Sequence, residues 1–520
     1  MKGIFAGALL LLLVQAHQAT APAEFTPGTV ALLISQDEAH AKPAVEQALR
    51  HSDPSVRIMA ARVAANAPVA GALPALVAAL GGESNHAVAA EYVYDILLMA
   101  GAAAETSVEP HLRRNSPEAA LAYAEWLARM RPEGLVSKLG DLFSLAPDAP
   151  YEFTRIVRMS GELHPDQRDA LYTAWMKIAP MNAWRSLLFQ SFAAPGALAS
   201  GAPFLVSALK SDRGDIRTET VWFLVGRTAL PDAVVDAALP ASAEAPVNWE
   251  SFGREVIARS QKHAQTPDRS DFLRSALTSG AYAPPDVRFN RSLTPSEHAV
   301  VTSAPPSAPT PVDPWFPAPA VTASSIAPGV VGSLLRASNC DENTDSFGAA
   351  GMTFGIDGRP KKITLGSEGL SAGCQAALTT LARLTIEDPD HAATEGVQML
   401  VLPFNKDAVA CVDAPAAQSR GALPVRVDRH RVQPPEKIRD AKTFFPPEAQ
   451  KQGIQGAVIV ETVIGPSGCV QHGRILRGLS PLLDAAALNT AMRMQFKPPM
   501  VDGKPAAVVM TMTINFGLTK

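Results

Sequence analysis

The chain has 520 residues, too many for one compact core, and this length predicts several domains. Its formal net charge is −4 with 18% charged residues, which argues against nucleic acid as a partner because no basic surface is available to neutralise phosphates. Aromatic residues make up 6% of the chain, and alanine is abundant. This composition favours small-residue helices packed on each other.

Residues 1–21 have the pattern of a secretory signal peptide. Lys2 supplies a positive charge, and the apolar run Ile4–Val14 is shorter than the ~20 residues of a membrane-spanning helix. Val14-Gln15-Ala16 reads as a small-residue cleavage site. An uncleaved membrane anchor is the alternative. No other segment reads as long and apolar enough to cross a membrane, so we expect an exported protein.

Residues 42–290 are predicted to form an array of helix pairs. The pattern repeats with a period near 32, and the segment that starts at Val45 recurs at Leu205, five periods later. The Asp53–Arg57 turn, D-P-x-V-R, resembles HEAT repeats. The resemblance implies an all-α solenoid of about six units with a concave surface for a protein partner, or else a rigid spacer. Residues 231–291 are expected to cap this array.

Residues 294–328 are rich in proline, serine, alanine and threonine. Such a segment buries too little apolar surface to pack, and its prolines keep it extended. We therefore expect a linker. A docking motif at Pro314-Trp315-Phe316-Pro317 is the alternative.

Residues 428–520 are predicted to form an α+β module. Strands at Ala457–Ile464 and at about Val470–Arg477 flank a turn made of glycine, proline and serine. Ser480 can cap the helix that follows, with proline at its first turn. Apolar residues then occupy every second position from Val508 to Phe516, the period of a half-buried strand.

This order of a hairpin, a helix and a final strand resembles the TonB C-terminal domain. The motifs that carry the resemblance are Phe445-Pro446 with Ala449, Gly453-x-x-Gly456, Gly468-x-Val470, Leu483-Asp484-x-Ala486-Ala487, Phe496-x-Pro498, Gly503-x-Pro505 and Ile514-x-Phe516. The resemblance implies a periplasmic domain that captures an extended peptide of outer-membrane transporters by strand addition at a sheet edge. The predicted edge strand comprises Val508, Val509, Met510, Thr511, Met512 and Thr513. Alternatively, the alternation marks only a core-facing strand.

The resemblance does not extend to the N-terminus. Energy-transducing members of the family carry an N-terminal membrane helix that couples to an inner-membrane motor, whereas this chain begins with a signal-like segment and a helical array. The leading hypothesis is a periplasmic, non-enzymatic adaptor without cofactor or metal, which binds an outer-membrane TonB-dependent transporter or another envelope protein. The alternative is a scaffold whose helical array binds the partner, while the C-terminal module anchors or forms a homodimer.

Residues 330–415 are predicted to form a degenerate copy of the same module. Gly358 and Leu378 lie 110 residues before Gly468 and Leu488. The chain has four cysteines, and an exported location permits disulfides. We expect one bridge within the region Cys340–Cys411, with Cys469 either paired or free.

The segment Gly369–Gly373 matches the G-x-S-x-G pattern of a serine hydrolase, with Asp390 and His391 nearby. A nucleophile elbow requires a parallel sheet and an oxyanion-hole loop, and the module is too small to supply them. The corresponding Ser480 simply begins a helix. No catalytic residue is therefore predicted, and Ser371 remains the distant alternative.

Overall fold

The structure is a computed structural model, and it describes most of the helical array and both α+β modules. The predicted signal peptide, most of the predicted cap and most of the predicted linker lie outside the described residues. The described residues are 25–66, 69–112, 117–192, 197–224, 231–234, 236–238, 320–322, 330–340, 343–365, 370–387, 398–405, 411, 425–426, 435–501 and 503–517.

Residues 27–224 form a stack of helix pairs, which we call the helical stack. The second helices of six pairs begin 31 to 33 residues apart, in agreement with the period of the sequence. The helices are α1 (Pro27–Ala31), α2 (Glu38–Ala48), α3 (Pro54–Asn66), α4 (Leu73–Gly82), α5 (His86–Ala100), α6 (Glu105–Leu112), α7 (Pro117–Met130), α8 (Pro132–Leu145), α9 (Pro150–Leu163), α10 (Arg168–Ile178), α11 (Met181–Phe192), α12 (Ala197–Ser200), α13 (Ala202–Leu209) and α14 (Gly214–Leu224).

The second helices and α1 together form one continuous row, in which each helix contacts the next in the order α1, α3, α5, α7, α9, α11 and α14. No helix pair can bury both of its faces alone, so each pair gains its core from its neighbours. Aromatic rings fill the junctions, for example Phe143 against Trp175 with centroids 5.1 Å apart. The assignment of these pairs to the HEAT class remains a prediction.

The turn that suggested the repeat has the same hydrogen bond at both ends of the stack. Arg57 donates from Nη1 to the carbonyl of His51 at 2.8 Å. Arg217 donates in the same way to the carbonyl of Ser211 at 2.5 Å. These arginines lie 160 residues apart. The repeated arginine thus closes the turn between the two helices of a pair.

One described stretch, His86–Leu112, is long and apolar enough to span a membrane by length and composition. By this measure, the expectation that no segment after the signal-like N-terminus is long and apolar enough to cross a membrane is wrong. Half of its apolar window is buried inside the protein, and Gly101, with φ of 62°, ends α5 before α6 begins. These features are those of core helices in the stack.

The first module contains residues 320–405 and has the order hairpin, helix, strand. Its sheet has the order β1-β4-β2-β3, in which β1 runs parallel to β4. β1 lies inside the predicted linker, so the linker prediction does not hold for these three residues. The elements are β1 (Ala320–Thr322), α15 (Val330–Ala337), β2 (Asn343–Phe354), β3 (Pro360–Leu365), α16 (Ala372–Leu384) and β4 (Gln398–Asn405).

The second module contains residues 425–517, and its sheet has the order β5-β12-β7-β8. The elements are β5 (Val425–Arg426), β6 (Lys437–Arg439), α17 (Pro447–Lys451), β7 (Gly456–Ile464), β8 (Val470–Arg477), α18 (Pro481–Arg493), β9 (Gln495–Phe496), β10 (Met500–Val501), β11 (Lys504–Pro505) and β12 (Val508–Phe516).

The two modules are joined to each other. β1 of the first module lies against β8 of the second, and α18 lies against β4. The rings of Phe347 and Phe444 meet edge to face at 5.9 Å. Cys340 is bonded to Cys374 within the first module, and Cys411 is bonded to Cys469 of the second. Of the pairings that the sequence left open, the structure therefore has Cys469 paired.

The first module is also docked on the row of second helices. The amide of Gly28 in α1 donates to Ser333 Oγ in α15 at 2.9 Å, in a buried position. The turn between β2 and β3 contacts α7. Arg129 of α7 also forms an ion pair at 2.9 Å with Glu387, which follows α16. The helical stack thus carries the first module, which in turn contacts the second.

Candidate functional site

The candidate site is the outer edge of β12, which the sequence identified by its alternation. All nine residues of β12 pair with β7, from Val508 opposite Ile464 to Phe516 opposite Gly456. Met512 is 7% exposed, whereas its neighbours Thr511 and Thr513 are exposed. The alternation therefore separates a core-facing side from a solvent-facing side of one strand.

The buried side of β12 packs against α18 and the entry segment of the module. Phe516 meets Phe445 edge to face, with ring centroids 5.6 Å apart. Because hydrophobic packing fixes one face of the strand, its register cannot slip by one residue without exposing that face. The core thus holds the outer edge of β12 in a defined position.

Helix α18 is capped as its sequence predicts. Ser480 Oγ accepts a hydrogen bond from the amide of Leu483 at 3.3 Å. Asp484 Oδ1 accepts one from the amide of Leu479 at 3.0 Å. Burial raises the pKa of Asp484 to about 6, although main-chain donors favour its charged form. This carboxyl group caps a helix and lies in the module core.

The main-chain direction along β12 follows from one side-chain contact. Thr462 Oγ1 of β7 donates to the carbonyl of Met510 at 3.1 Å, which places that carbonyl on the β7 side. Neighbouring residues in a strand direct their main-chain groups to opposite sides. The N–H and C=O groups of Thr511, and of every second residue from it, therefore point to the outer edge.

The start of this outer edge is already paired. Val508 and Val509 lie in parallel register with Val425 and Arg426 of β5. Within the described part of the chain, no strand pairs with the outer side of β12 beyond these two residues. The edge thus has a short occupied start and a longer remainder that begins at Met510.

The structure divides the six predicted edge residues into three groups. Val508 and Val509 are paired with β5. Met510 and Met512 belong to the set that points its main chain towards β7 and its side chains towards α18. Thr511 and Thr513 are exposed and point their main-chain groups outwards. Sequence reasoning missed Asn515, which continues the outward set, and missed β5, whose two residues show no periodic signal.

The helical stack does not offer its whole row of second helices as a free surface. Gly358, in the β2–β3 turn with φ of 73°, lies directly on the guanidinium of Arg129. Arg129 is fully buried and also donates to the Glu387 carbonyl at 3.2 Å. The nearby Asp95 is fully buried, and burial raises the pKa of its carboxyl group well above the ordinary value. The first half of the row is thus filled by the chain's own module.

The hydrolase-like motif has a structural role in the described residues. Ser371 is the N-cap of α16, and its Oγ accepts a hydrogen bond from the amide of Cys374 at 3.2 Å. Asp390 and His391 lie outside the described residues. Among those that are described, no group of three or more His, Cys, Asp or Glu side chains is placed to hold a metal ion.

The comparisons with known proteins bear on the second module only. Neither the curated proteins nor the solved structures include a significant match to the chain. A family model, described as Gram-negative bacterial TonB protein C-terminal, matches residues 441–518. This range begins before α17 and ends after β12, so it contains the hairpin, the helix and the final strand of the second module. Over residues 441–518, the chain is therefore similar to the TonB C-terminal domain family.

Proposed function

We propose that the second module binds an extended peptide segment of another envelope protein, with an outer-membrane TonB-dependent transporter as the leading candidate. The peptide adds as a strand to the outer edge of β12. The module acts as a non-enzymatic adaptor and requires no cofactor. The observation that carries this proposal is the outer edge of β12 beyond Val509, where regularly spaced main-chain groups meet no other described strand.

Two physical features support strand addition here. First, an extended peptide meets outward N–H and C=O groups at Thr511, Thr513 and Asn515, and such main-chain bonds give affinity that depends little on sequence. Second, these three side chains are exposed and polar, so the strand is tolerated in water before a partner arrives. Both features belong to a strand whose other side is fixed by the core.

A periplasmic location fits the two disulfides, because disulfides persist in oxidising compartments. The signal-like N-terminus favours the same location. Capture of a transporter does not require that this chain transduce energy, and the proposal is restricted to peptide binding. Two copies of the chain pairing through the same edge would compete with peptide binding. Size-exclusion chromatography of the full chain detects such a homodimer.

The decisive variants are at Thr511, whose N–H points outwards. Thr511→Pro removes one edge donor, and proline is tolerated in edge strands where the N–H faces solvent. Thr511→Val keeps the donor and is the matched control. We expect the full chain and the valine variant to retain transporters from solubilised outer membranes, and the proline variant to lose most of this binding.

Met510→Pro tests the assignment of direction in the same assay. Its N–H faces β7, so we expect this variant to lose the fold of the second module, unlike Thr511→Pro. Equal retention of transporters by the full chain and a folded Thr511→Pro variant contradicts edge capture. If no variant retains any transporter, the proposed partner class is wrong.

A further inference from the structure

We propose that the peptide-binding edge of β12 is held by the chain's own segment at Val425–Arg426, and that an incoming peptide binds by displacing it. This inference rests on the proposed function and adds its regulation. β5 pairs with Val508 and Val509, the first two residues of the predicted edge. The chain is therefore an internal competitor for part of its own site.

The first module also has a short strand from the preceding segment paired with its last strand, and there the pairing covers three residues. β1 runs parallel to the last strand of that module, with Ala320, Val321 and Thr322 opposite Met399, Leu400 and Val401. β5 likewise runs parallel to the last strand of the second module. In both cases the added strand comes from the segment that precedes the module, and a proline stands immediately before it. Parallel addition to the last strand is thus something this chain does twice with its own residues.

The two added strands differ in what surrounds them. β1 pairs with β4 and also lies against β8 of the second module. β5 is the outermost strand of its sheet within the described residues, and it pairs through two residues. Two pairs contribute little free energy compared with the ordering of the segment that makes them. We therefore expect β5 to exchange readily and β1 to stay in place.

The chain holds β5 near its site from both directions. Towards the N-terminus, Cys411 is bonded to Cys469 beside the β7–β8 turn. Towards the C-terminus, β6 pairs with β9, where Lys437 lies opposite Phe496. A tethered segment competes at an effective concentration on the order of millimolar. An external peptide therefore binds less tightly than the open edge allows, in proportion to the fraction of chains whose edge is free.

A peptide probe with this chain's own sequence measures how accessible the β12 edge is. It is applied to the wild type, in which β5 is paired with the edge, and to a variant in which β5 cannot pair. The probe is a fluorescein-labelled peptide of residues 421–431, and its binding is measured by fluorescence anisotropy. The receptors are the wild-type full chain and a full-length Val425→Pro/Arg426→Pro variant. Neighbouring residues direct their N–H groups to opposite sides of a strand, so substitution of both residues removes the one donor that faces β12. We expect the variant to bind the probe at least tenfold more tightly than the wild type. A smaller difference, or no binding by the variant, overturns the proposal.

One control probe and one independent measurement test whether the binding is specific. A probe that carries the same two proline substitutions should not bind either receptor, which separates strand pairing from attraction to the basic residues of the peptide. Amide hydrogen exchange of the wild type gives a second measurement that needs no variant. We expect the outward amide of Val509 to be protected by β5 and to lose protection in the variant, whereas equal exchange at Val509 in both chains overturns the proposal.

Failure of this inference is distinguishable from failure of the proposed function. If the vacated variant binds the probe but retains no transporter, internal occupancy holds and the proposed partner is wrong. If the wild type and the variant retain transporters equally, capture holds and internal competition does not.

Discussion

The two α+β modules share one plan, and their neighbours give them different roles. Each consists of a hairpin, a helix and a last strand, and each takes a short parallel strand from the preceding segment. In the first module this added strand lies against the second module. In the second, the last strand keeps most of its outer side free of described strands. The comparison teaches that the surroundings of an edge, more than the fold, decide whether it can bind a peptide.

The hairpin turns of the two modules also differ in what they contact. The turn of the first module lies against the helical stack, where Gly358 contacts Arg129. The turn of the second module lies against its own chain, where Gly468, with φ of 83°, approaches the carbonyl of Phe496. The first module is therefore a joint between the stack and the second module, whereas the hairpin turn of the second module is held by the module itself.

The largest expected effect is at the joint. Glu387→Ala leaves the buried guanidinium of Arg129 without its closest carboxylate and with only the longer pair to Glu125 at 3.8 Å. Breaking a buried ion pair costs about 3–5 kcal/mol, and the remaining pair to Glu125 places the expected loss at the lower end of this range. We expect a lower denaturant midpoint for the first module and an unchanged fold in the second. Chemical unfolding followed by circular dichroism measures the first, and the hydrogen exchange of β12 measures the second.

The control for that experiment is Glu133→Ala, because Glu133 pairs with Arg131 at 3.3 Å with its side chain 64% exposed. We expect no measurable change from this substitution. If both variants unfold at the same denaturant concentration as the wild type, the docking of the first module does not depend on the buried ion pair.

The second prediction is a pH effect confined to the second module. Burial raises the pKa of Asp484 from 3.8 to about 6, so the folded state holds this proton more tightly than the unfolded state. Stability therefore falls as pH rises from about 4 to about 6, by about 3 kcal/mol in all. Asp484→Asn keeps an acceptor oxygen for the amide of Leu479 and removes the charge. We expect the variant to lose this pH dependence and to be more stable at pH 7.

The first module provides the matched position for this test. Gln375 stands where the second module has Asp484, and its Nε2 donates to the carbonyl of Leu370 at 3.4 Å. Gln375→Asn should leave the pH dependence of thermal unfolding unchanged. A stability profile of Asp484→Asn that still falls between pH 4 and pH 6 assigns the effect to another group.

The smallest expected effect is the difference in melting temperature between alanine substitutions at two glycines that have similar backbone conformations. Gly358 has φ of 73° and Gly503 has φ of 77°, a region in which an L residue costs about 1–2 kcal/mol. A Cβ at Gly358 also lies 2.9 Å from Arg129 Cζ, whereas a Cβ at Gly503 meets nothing within 4 Å. We expect Gly358→Ala to lower the melting temperature more than Gly503→Ala. The reverse order contradicts the close contact of the turn with the stack.

Sequence periodicity predicted the long elements because each has one buried face. The second helices follow the 32-residue grid, and β8 has the bounds Val470–Arg477 that were predicted. Ser480 caps α18 as expected. These features depend on local chemistry and on burial that repeats along the chain, and both are visible without knowledge of the tertiary contacts.

The two short added strands, the pairing of Cys411 and the main-chain direction along β12 could not be predicted from the sequence, because they depend on contacts between distant segments. β1 and β5 have three and two residues, too few for a period. β1 lies inside the segment predicted to be a linker, and β5 lies between the two predicted modules. The pairing of Cys411 with Cys469 required the two segments to be placed in space. The outward direction of Thr511 likewise followed only from the contact of Thr462 with the Met510 carbonyl.

The contact between α1 and α15 sets an order of events during folding. Gly28 and Ser333 are 305 residues apart, and the amide of one bonds to the hydroxyl of the other. Contacts of such long sequence separation form late, because the intervening chain must first be available. The first turn of the stack therefore lacks its final packing partner until most of the chain has emerged. A nascent or truncated chain that ends before Ser333 exposes the apolar face of α1, which makes that helix a natural point of recognition for quality control.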